Sequence, residues 1–212
     1  MDTQSVSGVI LAAGMSSRMK QDKRLLPVAG KPLLQHVIDN ARASVLHEVV
    51  LVMPESDAQY FDTAGCTVVP SPNRQDGLAE SLKAGVAAVS STHGCMVLLG
   101  DMPLVMPQHI NALIAAFTNE PLRWLVPCNE HQRGNPVIIP AGWLAAVQSL
   151  SGDMGARQLF SHPEIEVIYH RSDDKAYYVD VDTQDMYVDL LEALKSSTGS
   201  VTCDEDASSC ST

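Results

Sequence analysis

Residues 9–34 read VILAAGMSSRMKQDKRLLPVAGKPLL, a short apolar run that passes straight into a small-residue loop and then into a basic stretch. The run 9–11 has strand character. Ala12, Ala13 and Gly14 follow it, and small residues there let the backbone come close to a ligand, with Gly14 free to take a positive φ. Successive N–H groups in such a loop form an anion-binding concavity. Arg18, Lys20, Lys23, Arg24 and Lys31 place five of the chain's 14 basic residues in this stretch, opposed only by Asp22. An ordinary strand-to-helix turn with a solvated charged face has the same composition, so the loop alone leaves both readings open. Neither GxxxxGK[ST] nor GxGxxG is present, which argues against a P-loop ATPase and a dinucleotide-dependent dehydrogenase.

Outward from this loop, apolar runs of strand length alternate with segments of helical period, the pattern of a mostly parallel α/β sheet with helices on both faces. Strands are expected at 9–11, 49–53, 67–69, 96–99, 124–127, 135–139, 165–169 and 178–181. Helices are expected at 33–43, 56–64, 78–89, 108–117, 142–150 and 185–194, with a short one from 155. In such open sheets ligands bind beyond the carboxyl ends of the strands.

The chain has 212 residues, a length suited to one domain, taken as 1–195, with an acidic Ser/Cys tail at 196–212 that has no apolar period and reads as disordered. A net charge of −11 argues against non-specific binding to nucleic acid or to an anionic membrane, because both need broad basic surface. No apolar run approaches bilayer-spanning length, and 1–7 lacks the charged and apolar regions of a signal peptide, so a soluble cytoplasmic protein is expected. The cysteines, Cys66, Cys95, Cys128, Cys203 and Cys210, form no CxxC pair, and the histidines show no HxH or HxxxH spacing, so zinc has little support.

The stretch 9–34 closely resembles the LAAGxSxRMGxxKxLLPxxGxPLL signature of the nucleotidyltransferases that include the molybdenum cofactor cytidylyltransferases and their guanylyltransferase relatives. The resemblance runs from Val9 to about Leu194. It implies a Rossmann-like sheet of the nucleotide-diphospho-sugar transferase type, a triphosphate wrapped by Leu11, Ala12, Ala13, Gly14 and Ser16, and phosphate-binding, catalytic roles for Arg18 and Lys23. Lys20 stands where the family usually has glycine. Ala13 favours cytosine, since the guanylyltransferases tend to show LAGG at this point.

Two acidic segments are candidates for a metal. Residues 100–103, GDMP, set Asp101 just past a strand, where it suits either a turn or Mg²⁺, which takes one or two carboxylates plus substrate phosphates; similarity to the family's metal-binding segment favours the metal. Alternation along 178–182 puts Asp180 and Asp182 on one face, opposite Val179 and Val181. Asp182 matches the family's second acidic position and is the preferred second ligand, although an N-cap for the following helix suits it equally. Asp180 is the weaker candidate.

The segment 70–85 resembles NPxxxxGLxxSLxxG and implies nucleotide contacts from Gly77, Leu78 and Ser81. Residues 131–140, HQRGNPVIIP, look like the family's GxPV segment and imply acceptor contacts from Gly134, Asn135 and Pro136. Residues 152–157 resemble GDxGAR and imply acceptor-phosphate contacts from Asp153, Gly155 and Arg157. Arg133 reads equally as an anion contact or a surface residue. Together the resemblance implies a Mg²⁺-dependent transfer of CMP from CTP to the terminal phosphate of molybdenum cofactor, a molybdopterin ester, with the product passed to a molybdenum hydroxylase apoenzyme of the xanthine dehydrogenase type. The alternatives are guanylyl transfer to the same cofactor, transfer to a sugar or polyol phosphate, and a non-catalytic cofactor-insertion chaperone.

Overall fold

The computed structural model describes residues 5–14, 21–71, 77–90, 93–152 and 155–198; the side chains of 157 and 195–198 are left aside. Nine strands and five α-helices are described: β1 (Val6–Leu11), β2 (Pro27–Val28), β3 (Lys31–Pro32), α1 (Leu33–Arg42), β4 (Val49–Met53), β5 (Thr67–Pro70), α2 (Gly77–Ala87), β6 (Gly94–Leu99), α3 (Pro107–Phe117), β7 (Trp124–Cys128), β8 (Val137–Pro140), α4 (Leu144–Val147), β9 (Val167–Arg171) and α5 (Gln184–Thr198). Seven strands form one sheet in the order β5-β4-β1-β6-β8-β7-β9. Every pairing is parallel except those of β8, which runs antiparallel to β6 and β7.

Strands buried on both faces need apolar residues at every position, and β1, β4 and β6 supply them. Ile10, Leu51, Met53, Met96 and Leu98 pack on one side with Leu34, Val37 and Ile38 of α1 and Ile110, Leu113 and Phe117 of α3. Val9, Leu11, Val50, Val52 and Val97 pack on the other with Ala79, Leu82 and Val86 of α2 and Val147 of α4. The expected three-layer α/β architecture is therefore present. In α1 the apolar positions recur at helical spacing and form one buried stripe, while Pro107 opens α3 at a position where its missing N–H costs nothing.

The chain runs from β1 outward to β4 and β5, then returns through α2 to β6 on the other flank of β1. That reversal makes the crevice between the carboxyl ends of β1 and β6 the topological switch point. Register pairs Leu11 with Leu99, so the loops after the two strands leave side by side.

Four expectations change. The segment 56–64 forms only a 3₁₀ helix, Glu55–Tyr60, none of whose residues is buried, so no apolar stripe holds an α-helix there. Residues 142–150 hold a 3₁₀ turn, Ala141–Trp143, followed by the four-residue α4. The strand expected at 178–181 is absent. Tyr177 and Tyr178 bond back to Asp174 and Lys175 in a 3₁₀ turn, and the Val181 N–H is spent on the Asp101 carbonyl (3.0 Å) instead of a strand ladder. The last helix runs on to Thr198, and 199–212 lie outside the described residues.

A third apolar cluster joins Leu26, Val28 and Leu33 to Val181, Tyr187 and Leu190. The small β2–β3 hairpin, which periodicity does not announce, is thereby tied to the start of α5, and the Tyr187 hydroxyl donates to the Pro27 carbonyl at 2.6 Å. This packing fixes the segment that carries Asp180 and Asp182. No helix among the described residues is long and apolar enough to cross a membrane.

Candidate active site

The floor of the cleft is the backbone where β1 and β6 end. Gly100 donates its N–H to the Leu11 carbonyl at 3.0 Å, and the Ala12 N–H bonds to Val52 at 2.9 Å. Leu11, Ala12 and Ala13 are all buried. Asp101 follows Gly100 directly, so the first carboxylate stands beside the first loop.

Lys23 comes from a 3₁₀ turn, Lys23–Leu25, and its Nζ lies 2.6 Å from Asp101 Oδ2 and 2.6 Å from Asp182 Oδ1. Three residues remote in sequence thus meet at one point. Burial works against the Lys23 charge and is the largest single influence on it, but the two carboxylates together outweigh it and raise the pKa above the ordinary lysine value. The ammonium stays charged throughout the neutral range.

Asp180 joins the group. One oxygen each of Asp101, Asp180 and Asp182 lies within 4.8 Å of the others. Burial first, and then the charges of Asp101 and Asp182, push the Asp180 carboxyl above the ordinary range. Asp101 Oδ1 is buried and has no hydrogen-bond partner among the described residues. An unsatisfied buried carboxylate oxygen beside two further carboxylates is a hard-oxygen donor set, and it fits a divalent cation such as Mg²⁺ or Mn²⁺. The residues that could hold a metal are therefore the expected Asp101 and Asp182, with Asp180 as well.

Beside the charged floor lies a cavity of about 740 Å³, walled by Leu11, Leu78, Leu82, Val137 and Phe160 and edged by Arg133 and Asn135. Gly77 opens α2 at φ +84°, a backbone that favours glycine, and Leu78 lines the cavity. Ser81 is buried, with its Oγ 3.5 Å from that of Ser71. The Ala79 N–H bonds to the Gly152 carbonyl at 3.0 Å, bringing Gly152 against the start of α2. Gly134 is needed for close approach: a Cβ there would stand 2.4 Å from the Tyr177 carbonyl oxygen. The neighbouring Asn135 N–H donates to that same oxygen at 2.8 Å.

Arg133, although exposed, has two aromatic neighbours. Its guanidinium carbon sits 5.1 Å from the Phe160 ring centre and 5.5 Å from that of Tyr169, and Nη2 donates to the Tyr169 hydroxyl at 2.9 Å. The tight 128–134 turn behind it is braced by Asn129, whose Oδ1 accepts from the N–H groups of His131 and Gln132. Sequence reasoning missed this aromatic pair because two single aromatics in different elements carry no signal that they meet.

The cleft therefore gathers Leu11, Ala12, Ala13, Gly14, Lys23, Asp101, Asp180 and Asp182 at one end, and Leu78, Gly134 and Asn135 at the other. Val137 continues the second wall from Asn135, Pro136 between them packs toward Leu98, Met102 and Val105, and Gly155 opens the 3₁₀ helix Gly155–Ser161. Ser16, Arg18, Lys20 and Asp153 lie outside the described residues, as does the side chain of Arg157.

The family model for the MobA-like NTP transferase domain matches residues 8–167. The chain belongs to this family. Among curated relatives of this NTP transferase domain, the bifunctional protein GlmU of Ralstonia nicotianae is 36% identical over 112 residues, which cover 51% of this chain but 25% of that protein. The chain thus spans about a quarter of the length of the GlmU proteins it matches. Nicotine blue oxidoreductase of Paenarthrobacter nicotinovorans is 28% identical over 200 residues, 90% of this chain and 98% of that one. A probable molybdenum cofactor guanylyltransferase of Thermococcus sibiricus is 32% identical over 116 residues, 52% of this chain and 55% of that one. Among solved structures, the manganese complex of Rv0371C from Mycobacterium tuberculosis H37Rv superposes with a TM-score of 0.74 at 25% identity, covering 89% of this chain and 99% of that one.

Proposed function

We propose that this NTP transferase domain transfers CMP from CTP to the terminal phosphate of molybdenum cofactor, releasing pyrophosphate and giving molybdopterin cytosine dinucleotide. The observation that carries the reading is Lys23 bridging Asp101 and Asp182 under the β1 loop, next to a mainly apolar cavity edged by the Arg133 guanidinium. A phosphate-handling floor abuts a slot suited to a flat heterocycle. The similarity to a probable molybdenum cofactor guanylyltransferase supports the acceptor, and Ala13 in the LAAG loop supports cytosine over guanine.

In the reaction a phosphate oxygen of the acceptor attacks the α-phosphorus of CTP in line. A new P–O bond forms there as the bond to the β-phosphate oxygen breaks and pyrophosphate departs. The acceptor phosphate is already ionised near neutral pH, so no protein nucleophile is required. Positioning and charge neutralisation supply the catalysis. Lys23, held cationic by its carboxylate neighbours, neutralises charge on the leaving phosphates, with Arg18 as its partner. The backbone of Leu11, Ala12, Ala13 and Gly14 carries the triphosphate. Gly77, Leu78 and Ser81 contact the nucleoside, while Gly134, Asn135, Pro136, Asp153, Gly155 and Arg157 hold the acceptor. A Mg²⁺ held by Asp101 and Asp182, with Asp180 beside them, would neutralise phosphate charge and orient the triphosphate when bound.

The test is incorporation of radiolabelled nucleotide into molybdenum cofactor, with CTP and GTP offered separately. Label from CTP alone is expected, and label from GTP alone makes the protein a guanylyltransferase on the same cofactor. Absence of label from both overturns transfer to this acceptor. The nearly full-length match to nicotine blue oxidoreductase favours one second reading, in which the cleft binds a flat aromatic heterocycle without nucleotidyl transfer. Tight heterocycle binding without incorporation would support it.

A further inference from the structure

The residue next to Lys23 is a buried cation with several acceptors, and the proposed mechanism does not use it. Arg24 has a side chain only 5% exposed. Its Nη1 donates to the Ala12 carbonyl at 2.9 Å, its Nε to Asp22 Oδ1 at 2.9 Å, and its Nη2 to Asp57 Oδ2 at 2.6 Å, with a second Nη2 contact to Asp22 Oδ2. These acceptors belong to three separate pieces of chain: the exit of β1, the start of the Lys23–Leu25 turn, and the 3₁₀ helix that follows β4. All three lie at the carboxyl end of the sheet.

We infer that Arg24 is the positioning residue of the nucleotide half of the cleft, fixing the β1 loop and the Lys23 turn relative to each other. The inference rests on the triphosphate reading of that loop. Ala12 and Asp22 are the two described flanks of the signature loop, and one planar guanidinium holds both. Ala12 is thereby tied at its N–H to Val52 and at its carbonyl to Arg24. Asp22 caps the turn, accepting from the Arg24 N–H at 3.1 Å while gripping the same residue's side chain. Lys23 sits between these anchor points, so its reach to Asp101 and Asp182 depends on them. Only a fork with several donors in fixed directions can join three acceptors this way, and a lysine ammonium on a flexible stem cannot. A guanidinium this deeply buried costs desolvation that an apolar residue beside Leu25 and Leu26 would not incur. A purely structural role therefore leaves the choice of arginine unexplained.

None of Arg24's partners lines the cavity with Arg133 and Phe160. The inference thus demands a one-sided effect, on nucleotide and not on acceptor. The experiment uses the full chain with Mg²⁺ and CTP or GTP as probes, measuring nucleotide affinity by calorimetry, the KM for nucleotide and for acceptor, and the melting temperature. Arg24→Lys should weaken nucleotide binding about tenfold or more, the penalty of a small misplacement of the groups that hold the phosphates, with the acceptor KM unchanged. Asp57→Asn, which keeps Arg24 and removes one anchor, should give a smaller loss in the same direction and serves if Arg24→Lys folds poorly. Glu48→Ala is the control. Glu48 accepts from Ser7 and Ser90 through Oε1, away from the cleft, so its loss should lower the melting temperature and leave nucleotide affinity alone.

Folded Arg24→Lys and Asp57→Asn proteins that bind nucleotide like wild type would overturn the inference. So would equal losses in nucleotide and acceptor KM, or a nucleotide loss in Glu48→Ala that scales with melting temperature in the same way. Wild-type protein that binds neither nucleotide removes the triphosphate reading itself, and this inference with it.

Discussion

The two ends of the cleft are built on opposite principles. At the β1 and β6 end, charge is packed tightly: one lysine and three aspartates meet under a small-residue loop, with a second cation buried directly behind. At the β7 and β8 end the cavity wall is mainly apolar, with Gln132 and Asn135 among its lining, and the Arg133 guanidinium lies over the Phe160 and Tyr169 rings at its rim. The charged end can do chemistry on phosphates whatever base or acceptor is attached. Among the described residues that line it, the apolar end presents no acid or nucleophile, so their part is to choose what is held and at what angle. Substitutions at the two ends should therefore separate: those at the charged end act on kcat and on the binding of nucleotide and metal, those around Arg133 on the acceptor KM.

The largest effect should come from Asp101→Asn. It removes a carboxylate from the Lys23 bridge and one of the three carboxylates that suit a metal, and should lower kcat by about 10³-fold, on the scale of losing a preorganised charge-stabilising group. Steady-state turnover at saturating Mg²⁺ checks this, and near wild-type rates would remove Asp101 from the centre. Circular dichroism should stay unchanged, because the neighbouring strand ends are held by backbone bonds at Leu11 and Gly100.

Asp180→Asn should act next, through metal affinity. Titration with Mn²⁺ followed by electron paramagnetic resonance should show binding weaker by about tenfold, in the range found when a supporting metal-site group is lost. Asp180 holds its proton to a higher pH than an ordinary carboxyl, and a cation must meet the ionised form. Wild-type Mn²⁺ affinity should then fall as pH drops toward that raised value, and in Asp180→Asn this part of the slope should disappear. An unchanged slope would leave Asp180 outside the metal set.

Arg133→Ala tests the other end. The acceptor KM should rise about tenfold while kcat and the nucleotide KM hold steady, the mark of lost uniform binding. Arg133→Lys should not restore it, because an ammonium does not stack on rings and bond to a hydroxyl in one plane. A fall in kcat instead would show that the two ends are not independent.

The charged end was largely legible in the sequence. The β1 loop and Asp101 follow strand ends, and a parallel sheet must bring strand ends together; Lys23 stands out from the basic stretch only through the family resemblance. Asp182 could be named only by resemblance, and its strand was misjudged. Alternation along 178–182 correctly separates Val181 from the two aspartates, but a buried apolar residue between polar ones is also what an extended loop shows when it is pinned from both sides. The pin is the third core cluster around Val28 and Tyr187, which depends on a two-residue hairpin too short to leave a periodic signal. Arg24 was visible only as one more charge in a basic stretch, since burial of a cation is decided by partners as remote as Asp57. The apolar end was least legible, because Phe160 and Tyr169 gain meaning only when β9 and the 3₁₀ helix bring them to Arg133.

The smallest effect sharpens the comparison from outside the cleft. Glu48 sits near the opposite end of β1, accepting from the buried Ser7 hydroxyl at 2.7 Å and from the N–H and hydroxyl of Ser90. Burial opposes its charge and is the largest influence, yet those hydrogen bonds outweigh burial and hold its pKa below the ordinary glutamate value. A carboxylate whose folded pKa is depressed stabilises the fold above its unfolded value, about 4.3, and loses that contribution as pH falls through the folded value. Glu48→Gln keeps the shape but exchanges charge-assisted hydrogen bonds for neutral ones, at a cost of about 1 kcal/mol near neutral pH. Denaturant unfolding of both proteins from pH 7 down to pH 3 should show the gap narrowing as pH falls, with both KM values unchanged throughout. A gap independent of pH would mean that the Glu48 charge contributes nothing. A change in either KM would mean that the two ends of β1 are mechanically linked, and the separation between the cleft and its scaffold would fail.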